Sequence, residues 1–343
     1  MPRHGRIDYP GALHHVIIRG INRSAIFKND HDREEFILRL KTGLKKTEVV
    51  CLAWVLIPNH VHLLLRTGPH PLTELMRRLL TGYALYFNRS YNRVGYLFQN
   101  RYKSILCEEE KYLLQLVRYI HLNPLRAKLV DNLQALNKFP WCGHSALLGR
   151  KYAEWQDVSE ILRHFGSTVK KARRIYMEFV NKGIPEGKRS DLTGGGLIRS
   201  VGGWQQLKEL RKSGERWRGD ERILGSSDFV VRVLKEVEEN RTRKETRREI
   251  GWDLNALMFF IVDFSGVKRE LIIGNNKGPM SSRWRSVFAW WATEELGFTL
   301  TDVARFLGVH HSTVIRAAER GIEIIKKENL KLPEGVPDEK RTI

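Results

Sequence analysis

Two apolar runs separated by a tight turn constrain the fold of this chain more than any other feature. Val49–Leu56 and Val61–Arg66 have the length and composition of buried strands, and Pro58-Asn59 between them is typical of a turn. Strands joined by so short a connection pair in antiparallel fashion. The rest of the first 150 residues must therefore be compatible with an antiparallel sheet.

Extended and helical patterns alternate on both sides of this strand pair. The spacing predicts a strand over Leu13–Arg19, helices over Asp30–Lys46 and Leu72–Asn88, an extended basic segment over Tyr96–Cys107, and a helix over Glu108–Leu122 that stops at Asn123-Pro124. The order strand, helix, strand, strand, helix, strand predicts an α+β, ferredoxin-like fold, in which helices cover one face of an antiparallel sheet.

Two histidines alternate at the start of the second apolar run. His60 and His62 are two positions apart, so in a strand both imidazoles project from the same face. They would lie close enough to share a divalent cation such as Mg²⁺ or Mn²⁺, although two imidazoles leave its coordination shell incomplete. The alternative is a pair of hydrogen-bonded core histidines.

The later predicted helix carries polar groups that complement this pair. Tyr119 and Asn123 are spaced i and i+4, which places them one turn apart on the same helical face. The amide oxygen of Asn123 can complete a metal shell, and a tyrosine hydroxyl can attack a phosphodiester that a metal polarises. On spacing alone, a half-buried packing tyrosine is the favoured interpretation of Tyr119.

The charge of the chain indicates its class of partner. Among 343 residues, 59 are Lys or Arg and 39 are Asp or Glu, a net charge of +20 that favours nucleic acid. The alternatives are a merely basic soluble protein and one that binds acidic membranes. No apolar run approaches the ~20 residues of a membrane span, and we expect no membrane partner. Three widely separated cysteines argue against disulfides and zinc ribbons. We expect a cytoplasmic, nucleoid-associated protein.

The length accommodates two or three domains. We predict a first domain over 1–150, a mainly helical connector over 151–275 with glycine breaks at 194–196 and 202–203, a compact unit over 276–330, and a tail over 331–343. In the compact unit, a short helix over Leu300–Leu307 is followed by Gly308 and by a second helix beginning at His310. That pattern is typical of a helix-turn-helix.

Several motifs in a fixed order resemble one known family. They are Tyr9-Pro10-Gly11, His15-Val16-Ile17-Ile18-Arg19-Gly20-Ile21-Asn22-Arg23, Pro58-Asn59-His60-Val61-His62-Leu63-Leu64, Phe98-Gln99-Asn100-Arg101-Tyr102-Lys103-Ser104 and Tyr119-Ile120-His121-Leu122-Asn123-Pro124. The combination resembles the REP-associated tyrosine transposases, IS200-like Y1 transposases of the HUH endonuclease superfamily, over residues 1–150. An aromatic-Ser-Ser motif of that family is replaced here by Trp141-Cys142-Gly143-His144-Ser145.

The resemblance implies a metal-dependent endonuclease and strand transferase for single-stranded DNA. It assigns His60 and His62 to Mg²⁺ or Mn²⁺, Tyr119 to the nucleophile that forms a 5′-phosphotyrosine, and Asn123 to a third ligand position that is often glutamine in relatives. The implied substrate is a short palindromic hairpin. Arg19, Arg23, Arg101 and Lys103 are the candidate DNA contacts beside the site. The alternatives are a non-catalytic, sequence-specific DNA-binding regulator and a replication-initiator relaxase.

The C-terminal unit resembles a different DNA-binding domain. Its helix pair is similar to the duplex-binding domain of the replication initiator DnaA, which implies major-groove contacts by His311, Ser312, Thr313 and Arg316 and phosphate contacts by Arg283 and Arg285. The alternative is a small helical protein-interaction domain. The sequence leaves open a monomer or a homodimer, and whether Tyr119 meets the histidines of its own chain.

Overall fold

The chain consists of two compact units, residues 1–233 and 234–343. The computed structural model describes residues 6–187, 189–196, 200, 218–274 and 276–336. None of the helices in these ranges is long and apolar enough to span a membrane. The glycine break predicted at 202–203 and most of the predicted tail lie outside the described residues.

The first unit is built on a sheet whose central strands match the sequence prediction closely. Its strands are β1 (Leu13–Arg19), β2 (Val50–Ile57), β3 (His60–Arg66), β4 (Lys103–Cys107) and β5 (Ile223–Leu224), in the order β2-β3-β1-β4-β5. The first four pair antiparallel, and β5 adds to β4 in parallel. The predicted α+β fold, with its ferredoxin-like order of strands, is confirmed.

Helices cover both faces of this sheet. In the first unit they are α1 (Asp30–Thr47), α2 (Leu72–Ser90), α3 (Glu109–His121), α4 (Asn123–Arg126), α5 (Leu133–Lys138), α6 (His144–Leu147), α7 (Val158–Leu162) and α8 (Val169–Lys182). Apolar residues of α1 and α2 share one core with Val16, Val61 and Leu63. Apolar residues of α3 share a second core with Leu13 and Leu64, on the opposite face.

The two cores correct one detail of the predicted layout. The two helices within the ferredoxin-like order, α1 and α2, lie on one face as expected, but α3 lies on the other. The physical reason is that β1, β2 and β3 are apolar on both faces, and an uncovered face would leave buried-type side chains such as Leu64 in water. The helix with Tyr119 therefore packs on the face that carries His60 and His62.

The second core extends past residue 150, which differs from the predicted domain division. Ile161 of α7 and Tyr176 and Val180 of α8 are fully buried beside Leu116 of α3. Residues 158–182 thus complete the core of the first unit instead of forming a separate connector. Burial of large side chains such as these contributes roughly 1.5–3 kcal/mol each to stability.

All of the regular secondary structure in the described part of the second unit is helical. A long charged helix, α9 (Ser227–Glu249), leads into it, with Phe229, Val230 and Val233 buried near its start. It is followed by α10 (Leu254–Ser265), α11 (Arg269–Ile272), α12 (Pro279–Trp290), a π-helical turn (Trp291–Glu295), α13 (Leu300–Leu307) and α14 (His311–Glu328).

The core of the second unit begins earlier than the predicted boundary at residue 276. Trp252 and Leu257 are fully buried together with Phe288 and Val314. A very close helix contact lies at Gly321 of α14, where an added Cβ would sit 2.1 Å from the carbonyl oxygen of Ser286 in α12. Only glycine permits this approach, so α12 and α14 form a rigid pair on which α13 packs.

Candidate active site

A cleft of about 1010 Å³ lies between the sheet and the C-terminal end of α3. It is lined by Ile17, Arg19, Ile57, His60, His62, Gln99, Asn100, Arg101, Lys103, Tyr119, Asn123, Arg126, Ala127, Gly187 and Thr193. Seven of the residues predicted from sequence line this one cleft: His60, His62, Tyr119, Asn123, Arg19, Arg101 and Lys103. One chain therefore brings the tyrosine and both histidines together.

Strand β3 directs both predicted histidines to the face that α3 covers. In the pairing of β3 with β1, His60 lies opposite Arg19 and His62 lies opposite Ile17. The ring centroids of the two histidines are 5.1 Å apart. His62 is 3% exposed, whereas His60 is partly exposed at the strand end. Burial lowers the pKa of His60 to about 4 and that of His62 well below its usual value, so both rings are neutral near pH 7.

Tyr119 faces these histidines from α3. Its ring centroid is 5.7 Å from that of His62, in an edge-to-face arrangement, and the side chain is 7% exposed. Burial raises the pKa of Tyr119, while the Arg126 guanidinium, 5.3 Å from the ring centroid, and the amide of Asn123 act in the opposite direction. The phenol is thus protonated at rest and has a cation beside it that stabilises developing negative charge.

Asn123 lies one turn beyond Tyr119, as the spacing predicted. Its Nδ2 donates to the backbone carbonyl oxygens of Tyr119 at 3.0 Å and Ile120 at 3.4 Å. These bonds hold the amide in one orientation. Neither of them uses the amide oxygen, which is the predicted ligand atom. Helix α3 ends here because Pro124 cannot continue the backbone hydrogen-bond pattern, and the short helix α4 then begins.

A third histidine, which the sequence prediction did not assign to the site, lies behind His62. His15 of β1 is fully buried, and its Nε2 is 2.9 Å from Nδ1 of His62. Its Nδ1 donates to the backbone carbonyl oxygen of Leu192 at 2.9 Å. Burial lowers the pKa of His15 to about 4. The sequence holds one signal for it. His15 alternates with Leu13 and Ile17 along the predicted strand, so all three side chains share one face of β1.

The donor set fits the divalent metal that the sequence predicts. Nδ1 of His62 is occupied by His15, and Nδ1 of His60 donates to Asn59 Oδ1 at 2.7 Å, which leaves Nε2 of each ring for a ligand role. Histidines that bind metals typically donate their other ring N–H in this way. In the described ranges, no three His, Cys, Asp or Glu side chains are arranged as a metal site. The protein shell would consist of two imidazoles and the Asn123 amide.

Cations surround the opening of the cleft. Arg19, Arg101 and Lys103 are exposed, and Lys103 Nζ donates to the carbonyl oxygen of Thr193 at 2.8 Å. Arg126, absent from the prediction, adds a guanidinium whose buried Nε has no hydrogen-bond partner in the described part of the chain. The cleft is therefore suited to a phosphate backbone. The predicted contact Arg23 is exposed but does not line it.

The predicted contacts of the second unit divide into exposed and structural residues. His311 and Arg316 are exposed on the first two turns of α14, whereas Ser312 Oγ is 2.8 Å from Nδ1 of His310 and Thr313 is half-buried. Arg283 is engaged in an ion pair with Glu328.

Arg285 is not a phosphate contact. It is 7% exposed and donates to the backbone carbonyl oxygens of Ile272 at 2.7 Å and Asn276 at 3.0 Å. A buried guanidinium group requires acceptors for its donors. Here the acceptors are at the end of α11 and in the segment after it, so Arg285 connects both to α12. The prediction of this residue as a DNA contact was wrong.

The buried histidines predict an acid-sensitive first unit. The pKa is lowered to about 4 for His15, His60 and His144 and well below its usual value for His62 and His121. Histidine side chains in the unfolded chain titrate at about pH 6.5. Between pH ~6.5 and ~4 the unfolded state therefore binds more protons, and the free energy of unfolding falls as the pH falls through this window; above pH ~6.5 both states are neutral at these residues and the contribution is flat.

Hydrogen exchange at several pH values, corrected for intrinsic exchange rates, measures this loss. We expect the free energy of exchange for the amides of β1 and β3 to decrease by on the order of 1 kcal/mol or more from about pH 7 to about pH 5. Helix α14 is an internal control, because the histidines of residues 234–343, His310 and His311, are exposed. Protection of β1 and β3 that stays constant or rises on acidification contradicts the prediction.

The chain is similar to known proteins over part of its length. Residues 9–123, about a third of the chain, match the family model described as Transposase IS200 like. A solved structure described as "Structure of the REP associates tyrosine transposase bound to a REP hairpin" is similar at 15% identity and a TM-score of 0.37, over 49% of this chain and 93% of that chain. No curated protein matches. Residues 9–123 of this chain, which carry β1 to α3 and every side chain of the predicted catalytic set, are thus a domain similar to the IS200-like transposases.

Proposed function

We propose that the first unit is a metal-dependent endonuclease and strand transferase for single-stranded DNA, and that it acts at short palindromic hairpins. The observation that carries this proposal is the placement of Tyr119 against His62, 5.7 Å between ring centroids, in a cleft rimmed by arginines and a lysine. The transposase domain supplies the reaction class. The hairpin form of the DNA is the one that the resemblance of the sequence motifs implies.

The side chains in the cleft are suited to the reaction that the resemblance implies. The phenolic oxygen of Tyr119 attacks a phosphodiester phosphorus, the bond from phosphorus to the 3′-oxygen breaks, and the 5′ end remains attached to the tyrosine. The phenol loses one proton and the departing 3′-oxygen gains one. Because the phosphotyrosine ester replaces the broken ester bond, the bond energy is retained for rejoining.

The chain's own groups assist each part of this reaction. Arg126 stabilises charge on the tyrosine oxygen as it attacks, and Arg19 and Arg101 neutralise phosphates of the bound strand. When bound by His60, His62 and Asn123, a divalent cation would polarise the scissile phosphate.

Trapping of the covalent product tests the proposal. We expect a labelled hairpin with a single-stranded flank to yield a denaturation-resistant adduct in the presence of Mg²⁺ or Mn²⁺ and none with a chelator, and the adduct should map by mass spectrometry to the peptide that contains Tyr119. Tight hairpin binding without an adduct under any metal condition would instead indicate a non-catalytic DNA-binding regulator.

We propose further that the second unit binds duplex DNA through the start of α14. Its N-terminal turns expose His311 and Arg316 without an acidic residue in the first turn, so a DNA backbone meets only neutral or positive groups there. Helix α13 and the turn at Gly308 precede it, which is the order of elements in domains that insert the second of two helices into the major groove.

Substitution of Arg316 by alanine tests this surface. If the guanidinium reads a base edge, duplex affinity should fall by about 1–3 kcal/mol, whereas a phosphate contact should also lower the salt dependence of binding by about one unit. Fluorescence anisotropy over a range of salt concentrations measures both. Arg305→Ala removes an equally exposed cation that pairs with Asp302 on α13 and serves as the matched control. Equal effects of the two substitutions would assign the loss to general charge.

A further inference from the structure

A chain of two hydrogen bonds leads from a backbone carbonyl to the metal-binding face of His62. The Leu192 carbonyl oxygen lies 2.9 Å from His15 Nδ1, and His15 Nε2 lies 2.9 Å from His62 Nδ1. A carbonyl oxygen only accepts, so Nδ1 of His15 carries the proton. A neutral imidazole has a single N–H, and Nε2 of His15 must therefore accept from Nδ1 of His62. The remaining nitrogen of His62, Nε2, is left with its lone pair.

We infer that His15, held by the Leu192 carbonyl, is a positioning residue that fixes the tautomer and the ring orientation of His62 so that its Nε2 is presented as a metal ligand. This inference rests on the proposed function, because it assigns a metal to His62. His15 does not line the cleft, so it touches neither DNA nor cation and acts only through His62.

The neighbouring ligand shows the same arrangement with different partners. Asn59 Nδ2 donates to the carbonyl oxygen of Arg23 at 3.1 Å, which turns Asn59 Oδ1 toward Nδ1 of His60 at 2.7 Å. The amide oxygen accepts, so Nδ1 of His60 also carries its proton and Nε2 is again the open nitrogen. Two independent hydrogen-bond paths thus impose one tautomer on the adjacent rings, as a shared cation requires.

The carbonyl at the end of this chain comes from outside the transposase domain. Leu192 lies in a 3-10 turn, Ser190–Thr193, that is 177 positions from His15 in sequence. Arg189, just before this turn, pairs with Asp191 within it at 2.7 Å and donates to Oε1 of Gln115 on α3 at 3.3 Å. Lys103 of β4 also binds the turn, through the carbonyl oxygen of Thr193. The segment after α8 therefore contributes to the hydrogen bonds that orient the metal ligands.

Nitrogen NMR of the metal-free protein tests the tautomers directly. In protein with ¹⁵N-labelled imidazoles near neutral pH, two-bond ¹H–¹⁵N correlations distinguish the Nδ1–H form from the Nε2–H form, and His62→Gln identifies the His62 signals by their loss. We expect the Nδ1–H form for His15, His60 and His62. A His62 ring protonated on Nε2 overturns the inference, whatever the protein does with metal or DNA.

Two substitutions at one position separate positioning from packing. In His15→Gln the amide oxygen reaches the place of Nε2 and can still accept from His62, whereas in His15→Asn the shorter side chain reaches only the place of Nδ1. We expect His15→Asn to weaken Mn²⁺ binding, measured by calorimetry, by about 10–100-fold, and His15→Gln to retain most of the affinity. In His15→Asn, the His62 signals should also shift toward the Nε2–H form.

His14→Asn is the matched control. His14 is the adjacent, equally buried histidine of β1 and its Nδ1 is 3.0 Å from Ser104 Oγ on the other face, so its loss should leave Mn²⁺ affinity unchanged. Equal losses in His14→Asn and His15→Asn overturn the inference in favour of a packing role. Absence of Mn²⁺ binding in the unsubstituted protein refutes the metal in the proposed function, and the NMR result still decides the tautomer.

Discussion

Replacement of Tyr119 by phenylalanine is expected to abolish the covalent DNA adduct and all strand cleavage. The substitution removes one oxygen, the atom that attacks phosphorus, and leaves the ring that packs edge-to-face against His62 and His15. Among the described residues that line the cleft, no second tyrosine is available to take its place. Denaturing gels with a labelled single-stranded hairpin measure adduct and cleaved strand together. Hairpin binding should be retained.

Tyr112 provides the matched control for this experiment. It is seven residues earlier on the same face of α3, is also buried, and donates its hydroxyl to the carbonyl oxygen of Ser200 at 3.1 Å. Tyr112→Phe removes the same atom from the same helix and should cost about 1 kcal/mol of stability without loss of cleavage. Cleavage that survives Tyr119→Phe would sink the assignment of the nucleophile.

The second large effect is expected from His60→Ala combined with His62→Ala. Removal of both imidazoles leaves only the Asn123 amide of the predicted ligand set, and loss of Lewis-acid stabilisation worth several kcal/mol corresponds to a rate decrease on the order of 10³-fold or more. Single-turnover cleavage over a titration of Mn²⁺ measures the rate, and calorimetry measures the accompanying loss of metal binding. Hairpin affinity should change little, since the arginines at the rim remain.

A buried histidine elsewhere controls for the cavity that this double substitution creates. His14→Ala removes an imidazole of similar burial from β1, so its thermal unfolding should shift comparably while cleavage continues. If the double variant cuts DNA at the original rate with the same Mn²⁺ dependence, then His60 and His62 are core residues and not ligands.

Periodicity alone located most of the elements that carry the site. Strand β1 was predicted at its observed bounds, and α1 and α3 within a residue or two, because each has a clear apolar face and a local start or stop such as Asn29 or Pro124. The alternation of His60 and His62 likewise predicted that both rings share a face. These are local properties, and local sequence determines them.

The residues that the sequence prediction missed depend on contacts between distant segments. His15 became significant only through the register of β1 with β3 and through Leu192, which no short-range pattern connects to it. Arg285 was misjudged for a different reason. It lies two positions after Arg283 on a helix, and residues two apart point to nearly opposite sides, so both could not face one DNA surface.

The fully buried contact between α3 and α8 has a consequence for how this chain can be rearranged. The hydroxyl of Tyr176 in α8 is 2.8 Å from Nδ1 of His121 in α3 and 2.7 Å from Nδ1 of His144 in α6, so one hydrogen-bond cluster joins three separated stretches of chain. A gene fusion or truncation that kept only residues 9–123 would remove this hydrogen-bond cluster from α3. It would also remove the Leu192 carbonyl that hydrogen-bonds to His15. Residues 9–123 are therefore not expected to fold and function as an independent module. Recombination between relatives should be tolerated only where its breakpoints lie beyond residue 193.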